Sequence, residues 1–235
     1  MSRFQRLLLA SCVVVSFATP GFAADPYVTS KMLDLAPLMQ PPPMADSAED
    51  KADVKAVIDA QAAASEDRKK QAFVDSDETV DVVFGTVLGP KFVLANLPKT
   101  AALFARIGDS EDDTVDPAKP FFGRKRPWIA HPDEIKAVAK PTKSGSYPSG
   151  HTTRATLYAI VMSAMVPEKQ QDIWGRAHDY AYSRVVGGMH YPTDIDAGWR
   201  AGTAMAAVMM ALPNFQADFA AAKAELRAGL GLAAK

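Results

Sequence analysis

Apolar positions along the chain recur at helical spacing, and no segment shows sustained alternation of apolar and polar residues. Residues 47–74 are rich in Ala, Lys, Glu and Asp with apolar positions three or four apart, which predicts two helices broken near Ser65. Residues 92–107 read as an apolar helix containing a proline, followed at 109–116 by an acidic loop or helix start. Residues 152–165 predict a strongly apolar helix and 168–186 a more amphipathic one. Residues 193–212 predict a buried helix of Ala and Met, and 214–230 an amphipathic closing helix. Residues 80–87 are β-branched like a strand, but Gly85 and Gly89-Pro90 interrupt or bound them, so the segment reads as irregular or helical. Residues 25–44 read as extended or irregular, because Pro41-Pro42-Pro43 cannot sit inside a helix. With no repeat and no strand signal, the pattern predicts an all-α, single-domain bundle of helix packed on helix.

Composition narrows this picture. Hydrophobic residues make up 48% of the 235, enough for one domain with a substantial core. The 26 basic and 27 acidic residues nearly cancel, so no global basic field points to nucleic acid, and any anion site must be a local cluster of cations. Arg3 and Arg6 precede an uncharged apolar run at 7–17, and Ala18-Thr-Pro-Gly-Phe-Ala23 supplies small residues before Ala24-Asp25. This is the pattern of a secretory signal, residues 1–23, cleaved after Ala23 or one residue later. The expected organisation is then one domain at 24–235, opening with an extended Pro-rich segment at 24–46. The run at 7–17 is too short to span a bilayer and no later run reaches spanning length, so a soluble periplasmic protein is expected. The single cysteine, Cys12, lies inside the signal, which leaves the mature chain without a disulfide or a Cys metal ligand. Leu9-Ala10-Ser11-Cys12 also looks like a lipoprotein cleavage box, but the apolar run continues past Cys12 and too little precedes it.

Three short segments concentrate groups suited to an oxyanion. In Lys119-Pro-Phe-Phe-Gly-Arg-Lys-Arg126-Pro127, a helical reading puts Lys119 and Arg126 on nearly the same face, since seven residues at about 3.6 per turn make two turns. Two such cations can grip one anion; equally, the run can be a solvated basic patch. Arg124 and Lys125 point elsewhere in that helix and read as surface charges. In Gly145-Ser-Tyr-Pro148-Ser149-Gly150-His151, Ser149 is placed to cap the helix that follows, and Gly150 lets backbone approach a ligand. Free N–H groups there suit an anion, with His151 beside it, although an ordinary Pro-Ser-Gly turn has the same sequence. In Ser183-Arg184-Val-Val-Gly-Gly-Met-His190-Tyr-Pro-Thr-Asp194, a carboxylate four residues on can hold one ring nitrogen of His190 and bare the other as a nucleophile. Asp194 and Asp196 both also fit the bland role of an acid near a helix N-terminus. His131 and His178 match no motif and read as structural or surface residues.

Taken together the segments match, without a substitution, the signature of the type-2 phosphatidic acid phosphatase superfamily: Lys, six residues, Arg-Pro; then Pro-Ser-Gly-His; then Ser-Arg, five residues, His, three residues, Asp. Within it the chain most resembles the class A non-specific acid phosphatases, by its signal, size, Pro41-Pro42-Pro43 run, Gly145-Ser146-Tyr147 lead-in and C-terminal helices. It departs from them in having no cysteine after Cys12, and in Trp128 after the Arg-Pro pair, where a smaller aromatic is expected and the pocket wall would be altered.

The resemblance implies the fold shared by acid phosphatases and vanadium haloperoxidases. It implies hydrolysis of small-molecule phosphate monoesters through a phosphohistidine, with no metal and no cofactor. His190 would attack phosphorus and Asp194 would orient it. His151 would protonate the leaving alkoxide and then activate water. Lys119, Arg126 and Arg184 would hold the equatorial oxygens, helped by Ser149 and the Gly150 N–H. His190 must be neutral and His151 protonated, so a bell-shaped profile with an optimum on the acid side of neutral is expected. Relatives often assemble as homo-oligomers, and transfer of phosphate to alcohols is compatible with the intermediate. The alternatives are a vanadium-dependent haloperoxidase, a lipid phosphatase of the same superfamily, and a non-catalytic periplasmic phosphoester-binding protein.

Overall fold

The computed structural model describes residues 25–234, so the predicted signal and Cys12 lie outside the described residues. Among the described residues there are helices and no strands, in agreement with the all-α expectation. In chain order they are α1 (Leu35–Leu38), α2 (Ala48–Ala63), α3 (Glu66–Val74), α4 (Val80–Leu88), α5 (Pro98–Val115), α6 (Lys119–Phe122), α7 (Pro127–Ala130), α8 (Gly150–Met165), α9 (Gln170–Val186), α10 (Pro192–Met210) and α11 (Pro213–Leu230), with single 3-10 turns before α5, α6 and α9.

Helix α8 sits at the centre because, beyond the polar first turns that carry His151 and Arg154, its sequence is largely apolar on every face. Thr152, Ala155, Leu157, Ala159, Val161, Met162 and Met165 are all buried, and a helix apolar all round belongs inside. It packs on α10, α9, α5 and α11. The approach to α10 depends on two glycines one turn apart. A Cβ on Gly198 would lie 2.7 Å from Thr152 Cβ, and one on Gly202 2.5 Å from Thr156 Cβ. Only hydrogen at those positions lets the two backbones come this close. A smaller cluster of Val57, Ala60, Ala72, Ile135, Ala181, Val185, Tyr191 and Ile195 ties α2 and α3 to α9 and to the start of α10.

Ser65 does break the helical stretch as predicted: its hydroxyl accepts from the Arg68 N–H and starts α3. Residues 80–88 take the helical of their two readings, as α4 with Val80, Val83, Phe84 and Leu88 buried, so the β-branched residues serve packing rather than a strand. Two other expectations need correction. The proline read as internal to a helix is Pro98 at the first turn of α5, where its missing N–H costs nothing. The acidic stretch after it is not a loop but the last turns of α5, with Glu111 buried. Residues 25–46 are irregular apart from α1, and Tyr27 and Val28 anchor them in the core, the Tyr27 N–H donating to Ser110 Oγ.

Candidate active site

Residues 119–126 are not one helix. α6 ends at Phe122 because Gly123 turns left-handed at φ 62°, and Arg126 then stands in extended conformation before Pro127 opens α7. Lys119 and Arg126 nevertheless converge, through tertiary contacts rather than helical phase. A Cβ on Gly145 would lie 3.1 Å from Lys119 Cβ, so the second segment lies directly against the first. Arg126 donates from Nε to the Ser144 carbonyl at 2.8 Å, just before the second segment, and from Nη1 to the Met189 carbonyl of the third at 3.2 Å. The Ser146 N–H donates to the Arg124 carbonyl at 2.8 Å, and the Ser149 N–H to the Asp194 carbonyl at 3.1 Å.

At the centre is His190, with no exposed surface. Its Nε2 is 3.0 Å from Arg126 Nη1. Burial, followed by the fields of Arg126, Arg184, His151 and Lys119, pushes its pKa well below the ordinary value, so the ring is neutral at mildly acid pH. Arg184 is buried too. Its Nη1 reaches the Asp75 carbonyl and Ser76 Oγ, each at 3.4 Å, and its Nε has no hydrogen-bond partner among the described residues. Arg126 is lowered to about 10 by burial and by Arg184, and so remains a cation throughout the acid range.

Ser149 caps α8 as its sequence predicted, its Oγ accepting from the Thr152 N–H at 3.3 Å. Gly150 is the first residue of that helix. A Cβ there would fall 2.7 Å from Glu111 Oε1 and 3.4 Å from Lys119 Nζ, so the glycine leaves room beside a cation and at the positive end of the helix. Lys119 Nζ also donates to Asp116 Oδ1 at 2.7 Å.

Asp194 stands beside His190 but spends its oxygens elsewhere. Oδ2 is 3.5 Å from His190 Nδ1 and accepts from Ser146 Oγ at 2.6 Å and from the Tyr191 N–H at 2.9 Å. His190 Nδ1 makes no hydrogen bond among the described residues, so the carboxylate borders the ring without the hydrogen bond expected from the spacing. Burial raises Asp194 to about 6 despite Arg124. Its rival Asp196 is exposed.

His151 has a partner the sequence did not suggest: its Nδ1 is 2.8 Å from Glu78 Oε1. Burial and Arg184 lower the imidazole to about 4, while Glu78 opposes them. Glu78 resists the upward push of burial and is held down to about 2, chiefly by His151. Arg154 closes this side, its Nη2 reaching Glu111 Oε2 at 2.8 Å and Asp112 Oδ1 at 2.6 Å.

Arg124 overturns its assignment to the surface. It is nearly buried, with Nη1 on Asp194 Oδ1 at 2.7 Å, Nη2 on Asp53 Oδ2 at 2.7 Å, and its guanidinium 4.0 Å over the Tyr191 ring. Lys125 is exposed. Trp128 is partly buried and packs against the smaller core cluster. His178 is exposed and its ring lies 4.6 Å from that of Trp199; His131 is half-buried at the end of α7. Among the described residues no group of three or more His, Cys, Asp or Glu side chains is arranged to hold a metal ion, and no helix is long and apolar enough to cross a membrane.

Fold and site together define an all-α protein with a buried imidazole inside a ring of fixed cations. It belongs to the PAP2 superfamily, which matches residues 100–218. The chain is 31% identical to a non-specific acid phosphatase of Salmonella typhi, over 95% of its own length and 90% of the relative's. It is 29% identical to a non-specific acid phosphatase of Providencia stuartii, over 94% and 97% respectively. Its fold is similar to that of a transmembrane PAP2-type phosphatidylglycerolphosphate phosphatase from Bacillus subtilis, with a TM-score of 0.53 and 16% identity over 70% of this chain and 86% of that one. It is also similar to a bacterial vanadium-dependent iodoperoxidase, with a TM-score of 0.55 and 19% identity over 73% and 51%.

Proposed function

We propose that this PAP2 protein is an acid phosphatase that hydrolyses phosphate monoesters through a phosphohistidine on His190, without a metal. The observation that carries the reading is the 3.0 Å approach of His190 Nε2 to Arg126 Nη1 in a buried site that Arg184 and Lys119 also charge. A phosphoryl group gripped by those cations would lie against Nε2. Transfer of such a group needs positioning and charge neutralisation above all, which three cations and the Gly150 N–H can supply.

In the first step Nε2 bonds to phosphorus as the ester P–O bond breaks, and His151 gives its proton to the departing alkoxide. In the second, the neutral His151 takes a proton from water, the water oxygen bonds to phosphorus, and the P–N electron pair returns to His190. Ser149 holds the turn that presents the Gly150 N–H, and Asp194 limits how the His190 ring can rotate. An alcohol in place of water would give phosphotransfer as a side reaction. Export to the periplasm completes the proposal and rests on the signal pattern at residues 1–23.

The test is a rapid quench, without acid, of wild type mixed with labelled monoester, alongside turnover by His190→Ala. Label on a histidine and loss of turnover in the variant are expected. Full activity of His190→Ala would remove the mechanism, and abolition of wild-type turnover by EDTA would point to a metal instead.

A further inference from the structure

We infer that Glu78 is the positioning carboxylate of His151. This rests on the reading of His151 as the acid and base of the reaction. Glu78 lies in the connection between α3 and α4, far in sequence from all three segments that resemble the superfamily signature. Its Oε1 is 2.8 Å from His151 Nδ1, and its Oε2 is 3.7 Å from Arg154 Nη1. Arg154 is itself fixed by Glu111 on α5, so the carboxylate is braced from behind.

The contact distances divide the two ring nitrogens. With Nδ1–H committed to Glu78, Nε2 is the nitrogen left to exchange a proton. Its other contact is a long one, 3.4 Å to the Ser76 carbonyl, and competes weakly. Ser76 also marks this corner as the phosphate side, because its Oγ is 3.4 Å from Arg184 Nη1. An acceptor on Nδ1–H makes imidazolium easier to form and fixes the ring plane.

The groups that set the charge on His151 come from several elements. Glu78 lies on the 75–79 connection, Arg154 on α8 and Arg184 on α9, while the Tyr180 ring stacks 5.9 Å away. Of these, Glu78 alone favours the protonated ring, whereas burial, Arg184 and Arg154 oppose it.

The consequence is selective by leaving group. An alkyl alkoxide needs a proton as it departs; a p-nitrophenolate scarcely does. The ratio kcat/KM covers the chain of steps up to the first irreversible one, so it isolates formation of the phosphohistidine from its hydrolysis by the same His151. We expect Glu78→Gln to lower kcat/KM for a simple alkyl phosphate on the order of a hundredfold, and that for p-nitrophenyl phosphate only a few-fold. The basic limb of the alkyl profile should move to lower pH, and Glu78→Asp should recover part of the loss. Circular dichroism on both variants checks that they fold. An equal loss on both esters, or a gain on either, overturns the role of Glu78 while leaving the phosphatase reading in place. Failure of the wild type to turn over either ester would instead sink that reading.

Discussion

Arg124 and Asp194 are 70 residues apart in sequence and meet at 2.7 Å, Nη1 to Oδ1. The other oxygen of that carboxylate is the one beside His190 Nδ1. The same guanidinium holds Asp53 on α2, which in turn accepts from the Thr193 hydroxyl and, at 3.2 Å, from the Thr193 N–H. One buried cation therefore joins α2 to the start of α10 and fixes the acid that borders His190. Removing it leaves two buried carboxylates without their main counter-charge. Arg124→Met should lower unfolding free energy by about 3 kcal/mol and cut turnover with it. Arg124→Lys keeps the charge but cannot span both carboxylates, and should rescue only in part. Urea denaturation near neutral pH measures this; a midpoint equal to wild type for Arg124→Met would show that the network carries no stability.

The glycine pair of α10 predicts a different kind of damage. Gly202→Ala puts a methyl 2.5 Å from Thr156 Cβ and 2.7 Å from the Thr153 carbonyl, where neither side can yield without moving a helix. Overpacking of this sort costs roughly 1–3 kcal/mol. The displaced helix is the one that carries Asp194, so kcat should fall alongside the melting temperature. Gly175→Ala on α9 is the control, since a Cβ there meets nothing within 4 Å. Equal melting temperatures for the two variants would dismiss the close-packing argument.

Most of the helices were legible in the sequence, because a period near 3.6 and the serine caps act locally. The three charged segments were legible too, since their residue types suit one chemistry. What escaped was decided by tertiary contact. In sequence, Lys119 and Arg126 share a face only within one helix; they meet instead because Gly123 turns the chain and residues 144–146 pack against it. Arg124 looked like one more exposed cation, and only the fold brings Asp53 and Asp194 to it. Glu78 carried no signal at all, being an isolated acid before a β-branched run, and Glu111 was hidden in a stretch whose other acids are mostly exposed.

The buried titratable groups pull stability in opposite directions with pH. His151 is lowered to about 4, so its contribution is present above the unfolded value of 6.5 and lost as pH falls through 4. His190 is lowered and acts with the same sign. Asp194 and Glu111 are raised, to about 6 and about 7, so theirs are present at low pH and lost as pH rises through those values. Glu78, lowered to about 2, titrates below this window. In the mildly acid range the lowered imidazoles and the raised carboxyls therefore act on stability with opposite signs. His151→Gln removes one rising component. The stability of wild type relative to the variant should therefore rise by roughly 2.5 kcal/mol from pH 4 to pH 6.5. A gap that stays constant, measured by denaturant titration at each pH, would mean His151 is not buried neutral in solution.

Binding of a dianion should consume a proton. The protein groups alone hold His151 at about 4, through burial first and the Arg184 field second. A doubly charged ligand between Arg126 and Arg184 cancels part of that field and favours imidazolium, so the pKa of the bound form lies higher. Between the two values, the complex holds a proton that the ligand-free protein does not, and affinity falls as pH rises. Sulfate isolates the effect because, unlike phosphate, it remains a dianion across the range. Its inhibition constant should rise with pH above about pH 4, approaching roughly tenfold per pH unit at the steepest. Arg126 cannot produce this slope, since it stays charged up to about 10. His151→Gln should flatten the slope while still binding sulfate through the cations. That separates a titrating imidazole from a general loss of positive potential. A slope equally steep in His151→Gln would assign the proton to His190 or Asp194 instead, and a wild-type constant that does not change with pH would mean no buried group responds to the anion.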